Sequence, residues 1–393
     1  MEIITWNISI KFILECKRKC FLQWHKNLIR ASVLENVQKV LDCWSHLWAS
    51  FYRCDSCWET KHVFFTCKSR FCNSCSQPQS DIWIDKLFSR LPRGISYHHI
   101  VLTIPEELRI FFKKHRGTLS LLPKTASDSV CYFLQEKLHG IPWIIAIIHT
   151  FWAKLNWNPH VHLLITHGVF SLKKNTFIKE GFFLPYVAIR QSWTKRLLKH
   201  LKDWVYSNLS GDYMKQEIRF LNTFYDYKNK EGENSCRYGF FSKQCFGFEK
   251  IVGYIGRYVK RPPIAQSRII HYDWDIITFE YEDKLEKIKH QKIKKISCSD
   301  IEFLELLVQH IPNKYFHMVY YYGIFANRVK GRFINIINSL FRSPRIYPKP
   351  HISFRGRYFL WTWSDPLTCT CGWLFHKYMV SIPWYPPFFF DSS

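Results

Sequence analysis

The sequence predicts an α+β protein with a cysteine-rich N-terminal module, a central domain whose antiparallel sheet is flanked by helices, and a mixed, basic C-terminal α/β region. Three observations support this fold class. Apolar residues recur at helical spacing ahead of the first cysteine pair, two strand-like runs flank a turn in the middle of the chain, and short alternating runs follow Pro263. We place the boundaries at residues 1–92, 93–265 and 266–393.

The composition indicates a folded protein that binds a polyanion. Of 393 residues, 47% are hydrophobic and 18% are aromatic, which is enough for a substantial core. The formal net charge is +25, and aromatic residues are interleaved with Lys and Arg, a combination suited to single-stranded nucleic acid, whose bases can stack. An anionic membrane is the competing polyanion. However, a membrane span needs about 20 apolar residues, and the longest apolar run is broken by His149.

The N-terminus and the cysteine usage predict a reducing compartment. The first residues, Met1 to Cys20, lack a clear signal-peptide cleavage pattern and contain Lys17-Arg18-Lys19. We therefore expect a cytoplasmic protein. In that setting the 14 cysteines are metal ligands or buried thiols rather than disulfides, particularly where they cluster.

The N-terminal region predicts one or two amphipathic helices followed by a zinc site. Val33, Val37 and Val40 recur at helical spacing. Cys54-x-x-Cys57 and Cys72-x-x-Cys75 then follow, and two such pairs about fifteen residues apart have the spacing of a structural zinc site. Each short turn delivers two thiolates, so Cys54, Cys57, Cys72 and Cys75 are the predicted tetrahedral set.

Other donors compete with this set, and basic residues lie within it. Cys67 is the main alternative ligand, and Cys43 and His62 are further candidates. The alternative to a zinc site is that these cysteines are buried thiols that bind no metal. Lys68 and Arg70 lie between the cysteines. They would contact DNA phosphates or form an ordinary solvated surface.

The central region contains a predicted hairpin that carries three histidines. Ile144 to His149 is an apolar run of strand length, Lys154 to Pro159 is turn-like, and His160-Val161-His162 follows. Histidines at i and i+2 point to one face of a strand, where their ring nitrogens can hold one metal ion. Ordinary polar positions of a half-buried strand are the alternative.

Further elements are predicted on either side of this hairpin. We expect helices at residues 81–91 and 188–209, a strand at 98–104 ended by Pro105, a polar loop at 226–245, a second hairpin at 268–281, a solvated lysine-rich stretch at 284–295 and a capped helix starting at Ser299. Cys369-Thr370-Cys371 is too short to form a zinc site by itself, so packing is the preferred interpretation.

The segment from Phe248 to Arg261 forms two faces when it is drawn as a helix. One face is an apolar stripe, and the other carries Tyr254, Arg257, Tyr258 and Arg261, with Lys260 beside it. A phenol with a pKa of about 10 is a poor nucleophile at neutral pH. Attack of a tyrosine on a phosphate therefore requires a metal on the scissile group and cations near the phenolate. Interfacial packing of both rings is the alternative.

The order of these motifs resembles the HUH endonucleases of rolling-circle replication and, with the cysteines in front, the insertion-sequence ninety-one family of rolling-circle transposases. The resemblance covers roughly residues 20 to 370. The segments that carry it are Cys67 to Cys75, His149-Thr150 through His162, Gly253 to Tyr258, His310-Ile311-Pro312 and Tyr321-Tyr322-Gly323. Trp152 and Asn73 depart from it, since they stand where the family pattern has glycine and proline.

The resemblance implies a metal-dependent nuclease with tyrosine nucleophiles. His160 and His162, with His149 as the candidate third ligand, would bind Mg²⁺ or Mn²⁺, and Zn²⁺ would be structural. Tyr254 and Tyr258 would cut one strand and remain joined to its 5′ phosphate, while Arg257, Lys260 and Arg261 would hold the DNA.

The expected partners are single-stranded DNA at transposon ends, target DNA and the replication machinery of a bacterial host, with the protein at the nucleoid when it acts. Two alternatives stay open. A plasmid or phage replication initiator shares the chemistry, and a zinc-dependent DNA-binding regulator, such as a decayed transposase, lacks catalysis.

Overall fold

The architecture is taken from a computed structural model of the chain. It describes residues 8–24, 29–43, 49–69, 71–88, 91, 95–224, 240–245, 252–253, 256, 259, 262–283, 292–329, 331, 355–356, 359 and 365–381. None of the helices in this described part combines the length and the apolar character that a membrane crossing requires.

Helices and strands alternate irregularly along the chain. The helices are α1 (Ile10–Trp24), α2 (Ala31–Leu41), α3 (Asn73–Phe88), α4 (Arg109–Lys114), α5 (Leu121–Leu138), α6 (Tyr186–Asn208), α7 (Gly211–Asn222) and α8 (Asp300–Val308). The strands are β1 (Ala49–Cys54), β2 (Thr60–Phe64), β3 (Tyr97–Thr103), β4 (Trp143–Phe151), β5 (Trp157–Thr166), β6 (Val169–Ser171), β7 (Thr176–Ile178), β8 (Phe240–Cys245), β9 (Ile269–Tyr272), β10 (Ile276–Glu282), β11 (Ile293–Ser299), β12 (Val319–Gly323) and β13 (Phe375–Ser381).

The central sheet has the strand order β12-β4-β5-β3-β8, and every neighbouring pair is antiparallel. The two middle strands of the predicted hairpin, β4 and β5, are buried along their whole length. Because side chains alternate along a strand, this burial requires cover on both faces. The α+β class with an antiparallel central sheet is confirmed.

Two different layers provide that cover. On one face, α5 and α6 bury apolar residues against the sheet, including Leu122, Val130 and Trp193. The other face packs against Leu87 of α3 and against Val252 and Val259, which belong to the segment with the two candidate tyrosines. This second face is the one that carries the histidines.

A third unit packs α1 and α2 against the sheet β9-β10-β11 and α8. The predicted cap of α8 is confirmed, since the Ser299 hydroxyl accepts from the Glu302 amide and the Glu302 carboxylate accepts from the Ser299 amide. Lys17 of α1 also pairs with the buried Asp300 carboxylate at 2.9 Å. These contacts join the N-terminal helices to the C-terminal region.

Several strands lie where a loop or a solvated stretch was expected, or in a sheet that crosses a predicted boundary. Residues 240–245, expected as a polar loop, form the edge strand β8, and 293–299 form β11, which overlaps the expected lysine-rich solvated stretch. Two sheets also cross the predicted boundary at residue 265, because β12 joins the central sheet and β13 joins β1 and β2. Edge strands need pairing on one side only, so weakly patterned segments can form them.

Candidate metal centres and the tyrosine segment

The strand register brings the three predicted histidines together. His149 on β4 lies directly opposite His160 on β5, while His162 lies opposite Ile147. Residues opposite each other in an antiparallel pair share a face, as do residues at i and i+2. The three side chains are only 3–4% exposed, and one ring nitrogen from each lies within 4.8 Å of the others. Three converging imidazoles are a donor set that fits a divalent metal ion.

Hydrogen bonds orient two of these imidazoles. Nδ1–H of His160 donates to the backbone oxygen of Asn158 at 2.7 Å, which leaves Nε2 with the lone pair in the neutral ring. Nδ1 of His162 is bonded to Nε2 of His99 at 2.7 Å, and the two rings are stacked at 11°. Metal-binding histidines are commonly fixed in this way through their second ring nitrogen. The sequence pattern did not single out His99, which lies on β3 on the same face of the sheet as the three histidines.

The turn between β4 and β5 is held by residues that follow α8. Nε2–H of His310 donates to the backbone oxygen of Leu155 at 2.8 Å, and Nδ1 of His310 is bonded to the hydroxyl of Thr150 at 3.2 Å. The His310 ring also stacks on Trp157. These contacts hold the turn end of β4 and β5, next to the irregularity in the register between His149 and Phe151.

The two candidate tyrosines, Tyr254 and Tyr258, lie outside the described residues, as do Arg257, Lys260 and Arg261. The described residues around them are helical, as expected for this segment. Val252 and Val259 are buried in the core that includes Ile147 and Leu164, which share the sheet face with the histidines. The segment is therefore anchored on the histidine side of the sheet at both ends.

Gly256, between those two valines, contacts α3 closely. Its backbone oxygen accepts a hydrogen bond from the hydroxyl of Ser80 at 2.9 Å. A Cβ atom at this position would lie 2.3 Å from Cγ1 of Ile84. Glycine, which has no Cβ, permits this close approach of residue 256 to α3.

One cluster of four buried cysteines lies between α2 and α3. It contains Cys43, Cys67, Cys72 and Cys75, whose sulfurs lie within 4.8 Å of one another and which are all free thiols. The Cys43–Cys75, Cys67–Cys75 and Cys72–Cys43 sulfur distances are 3.3, 3.6 and 3.7 Å. Tetrahedral zinc with bonds of about 2.3 Å places its sulfurs about 3.8 Å apart. Hydrogen bonding with the neighbouring cysteines lowers the pKa of Cys72, which favours its thiolate form.

A second cluster combines the first cysteine pair with the C-terminal one. Cys54 and Cys57 lie with Cys369 and Cys371, and the sulfurs again lie within 4.8 Å of one another. The backbone amide of Trp373 donates to the Cys371 sulfur and is the main cause that lowers the pKa of Cys371 to about 7. This raises the thiolate fraction that a metal ion requires.

The expected single set of Cys54, Cys57, Cys72 and Cys75 is therefore divided between two clusters. The two pairs are separated by β2, and each recruits partners from elsewhere: Cys43 and the alternative ligand Cys67 in one case, the C-terminal pair in the other. Cys369-Thr370-Cys371, for which packing was expected, lies with two further cysteines, Cys54 and Cys57. Among the basic residues, Lys68 is exposed, with a φ of 53°, while Arg70 lies outside the described residues.

Two family models match the chain. Residues 13–104 match a transposase zinc-binding domain, and residues 144–332 match a putative transposase domain. The first match contains the whole cluster of Cys43, Cys67, Cys72 and Cys75, and it supports a structural zinc ion in this part of the protein. The second contains the histidines and the tyrosine segment.

Two relatives are similar over most of their length. The chain is 30% identical over 355 residues to the transposase for insertion sequence element IS801 of Pseudomonas savastanoi pv. phaseolicola, which covers 88% of this chain and 83% of that protein. It is 25% identical over 287 residues to the putative transposase y4qJ of Sinorhizobium fredii (strain NBRC 101917 / NGR234), covering 70% of each. No solved structure matches the chain. The two domain matches and the identity across most of both chains show that the protein belongs to the insertion-sequence ninety-one family of transposases.

Proposed function

We propose that the protein is the transposase of a rolling-circle insertion sequence and that it nicks single-stranded DNA through a covalent tyrosine intermediate. One observation carries this proposal. The buried cluster of His149, His160 and His162 lies on the sheet face against which Val252 and Val259 pack, and these valines flank the two candidate nucleophiles in the sequence.

The histidines would hold a divalent cation. A bound cation would withdraw charge from the scissile phosphate and stabilise the leaving oxygen. An all-nitrogen donor set favours Mn²⁺ over Mg²⁺, since Mg²⁺ prefers oxygen ligands. The hydrogen bond between His162 and His99 and the one from His160 to Asn158 hold both rings in one orientation.

The chemical step is a transesterification. The phenol oxygen of Tyr254 or Tyr258 loses its proton and attacks the phosphorus, so a Tyr–O–P bond forms as the P–O3′ bond breaks. The 3′ oxygen takes up a proton and becomes a free hydroxyl, on which a host polymerase can prime synthesis. Arg257, Lys260 and Arg261 lie in the same segment and would stabilise the phenolate and the strand. The second tyrosine can then perform the joining reaction at the other transposon end.

A cleft beside the tyrosine segment has the chemistry to bind single-stranded DNA. It has a volume of about 430 Å³ and is lined by residues that include Lys39, Lys68, Trp83, Val259 and Tyr321. Lysines attract phosphates, and aromatic rings stack on unpaired bases. Val259, which lines this cleft, directly follows Tyr258 in the sequence. Lys68, for which either a DNA contact or a solvated surface was expected, would contact a phosphate in this cleft.

The test is a nicking assay on single-stranded oligonucleotides taken from the flanks of the gene itself, with Mg²⁺ or Mn²⁺. We expect the wild-type protein to form an adduct that survives denaturing electrophoresis, and Tyr254→Phe combined with Tyr258→Phe to form none. Tyr315→Phe is the matched control, because Tyr315 is 85% exposed and lies outside the site. An adduct on the double variant would refute the assignment, and DNA binding without any nicking by the wild type would favour the regulator.

A further inference from the structure

A second cysteine cluster combines residues from the N-terminal and C-terminal regions of the chain. Cys54 and Cys57 come from the zinc-binding module, whereas Cys369 and Cys371 lie beyond both family matches. We propose that these four cysteines form a second zinc site, which fastens the C-terminal segment to the zinc-binding module.

The sulfur positions fit this proposal. The Cys54–Cys371 and Cys57–Cys369 sulfur distances are 3.5 and 3.4 Å. In the first cluster, the corresponding distances range from 3.3 Å for Cys43–Cys75 to 3.7 Å for Cys72–Cys43. In both clusters these sulfur pairs would move apart by only a few tenths of an ångström to reach the separation of about 3.8 Å in a tetrahedral four-thiolate zinc site.

Strand pairing delivers the second pair to the first. β13 is antiparallel to β1, and Phe375 lies opposite Cys54. A tight turn precedes β13, in which the amide of Cys369 donates to the oxygen of Trp373 at 2.7 Å, and Gly372 has a φ of 89°. The turn positions both sulfurs of Cys369-Thr370-Cys371 over the end of β1.

The apolar core at this junction is small. Its buried members are Cys54, Cys369 and Phe375, with Tyr52 packed against them. A core of this size contributes little burial energy, whereas bringing together residues more than 300 positions apart has a substantial entropic cost. Small modules of this kind commonly depend on a metal ion or a disulfide for stability. In a reducing compartment disulfides are rare, so a zinc ion is the expected cross-link.

The site would close the C-terminal segment into a loop. This segment leaves the central sheet at β12 and returns to the zinc-binding module at β13. Between these strands the sequence carries Lys330, Arg332, Arg342 and Arg345, which are cations of the kind that bind DNA phosphates.

The experiment counts zinc in the full-length protein purified under reducing conditions. We expect two zinc ions per chain in the wild type and one in the Cys369→Ser, Cys371→Ser double variant. The Cys16→Ser, Cys131→Ser double variant is the matched control, since neither cysteine belongs to a cluster, and it should keep two. Because no nicking is measured, the outcome is independent of the proposed catalytic function.

Limited proteolysis provides the second measurement. In the Cys369→Ser, Cys371→Ser variant, loss of the second zinc site should accelerate cleavage between β12 and β13. The central domain should stay intact, and one zinc ion should remain bound. One zinc ion in the wild type, or two in the Cys369→Ser, Cys371→Ser variant, would overturn the proposal. Intact mass showing two disulfides in place of the second zinc ion would also overturn it.

Discussion

The contact between Gly256 and α3 gives a direct test of how the tyrosine segment is positioned. A Cβ atom at Gly256 would lie 2.3 Å from Cγ1 and 2.6 Å from Cδ1 of Ile84. Real Cβ contacts essentially never fall below 3.0 Å, so Gly256→Ala forces the helix and α3 apart by roughly 0.7 Å or moves Ile84. Overpacking of this kind costs about 1–3 kcal/mol.

The same displacement should also slow catalysis. Gly256 lies two residues from each candidate nucleophile, and a misplacement of about 1 Å can slow a reaction about 100-fold. We therefore expect Gly256→Ala to form the covalent DNA adduct about 100-fold more slowly than the wild type, with a melting temperature lowered by several degrees. Single-turnover adduct formation and thermal unfolding measure the two effects separately.

Two variants make this test specific. Gly253→Ala lies in the same segment but meets no atom within 4 Å, so it should retain the wild-type rate. Ile84→Ala removes both clashing atoms and should restore much of the rate to Gly256→Ala. If Gly256→Ala nicks as fast as the wild type, or if Ile84→Ala gives no rescue, the proposed packing of the tyrosine segment on α3 does not position the nucleophiles.

Three further predictions concern neighbouring parts of the fold. His99→Ala removes the 2.7 Å hydrogen bond to His162, so the metal concentration for half-maximal nicking should rise about 10- to 100-fold, with little change at saturating metal; an unchanged metal dependence would contradict this role. Burial, followed by the charge of His167, lowers the pKa of His98 to about 4. Between about pH 6.5 and pH 4 the imidazole of His98 therefore binds a proton in the unfolded chain but not in the folded protein, so the free energy of unfolding should fall as the pH drops through this window. Urea unfolding of His98→Gln should show a weaker dependence of that free energy on pH. Ser299→Ala should lower the free energy of unfolding by about 1 kcal/mol, since the Glu302 amide loses its cap, and equilibrium unfolding would measure the loss.

Local signals in the sequence were sufficient for the elements that carry the histidines. The apolar run before His149, the turn-like residues and the His160-Val161-His162 alternation predict β4 and β5. They place His149 across from His160 or His162, and the observed register pairs it with His160. The capping box at Ser299 likewise predicts the start of α8. In each case the interactions that decide the structure lie within a few residues of one another.

Edge strands were harder to predict because their stability comes from a distant neighbour. β8 pairs with β3 across more than a hundred residues, and β12 and β13 join sheets whose other strands come from earlier regions. Their sequences need only tolerate an extended backbone with one face covered. The pattern of a segment such as Val319–Gly323 therefore leaves open which sheet it joins.

The cysteines show the same limit in a sharper form. A Cys-x-x-Cys spacing predicts that two thiolates share a metal, but it does not say which second pair completes the tetrahedron. That choice depends on which strand lies beside β1, and β13 brings Cys369 and Cys371 there. A usable signal existed for Cys43, since it continues the buried helical spacing of Val33, Val37 and Val40 just beyond the end of α2. A cysteine on the core side of a helix that points toward a Cys-x-x-Cys pair is a better candidate ligand than a distant pair of matching spacing. Applied to this chain, that rule would have selected Cys43 over Cys54 as a partner for Cys72 and Cys75.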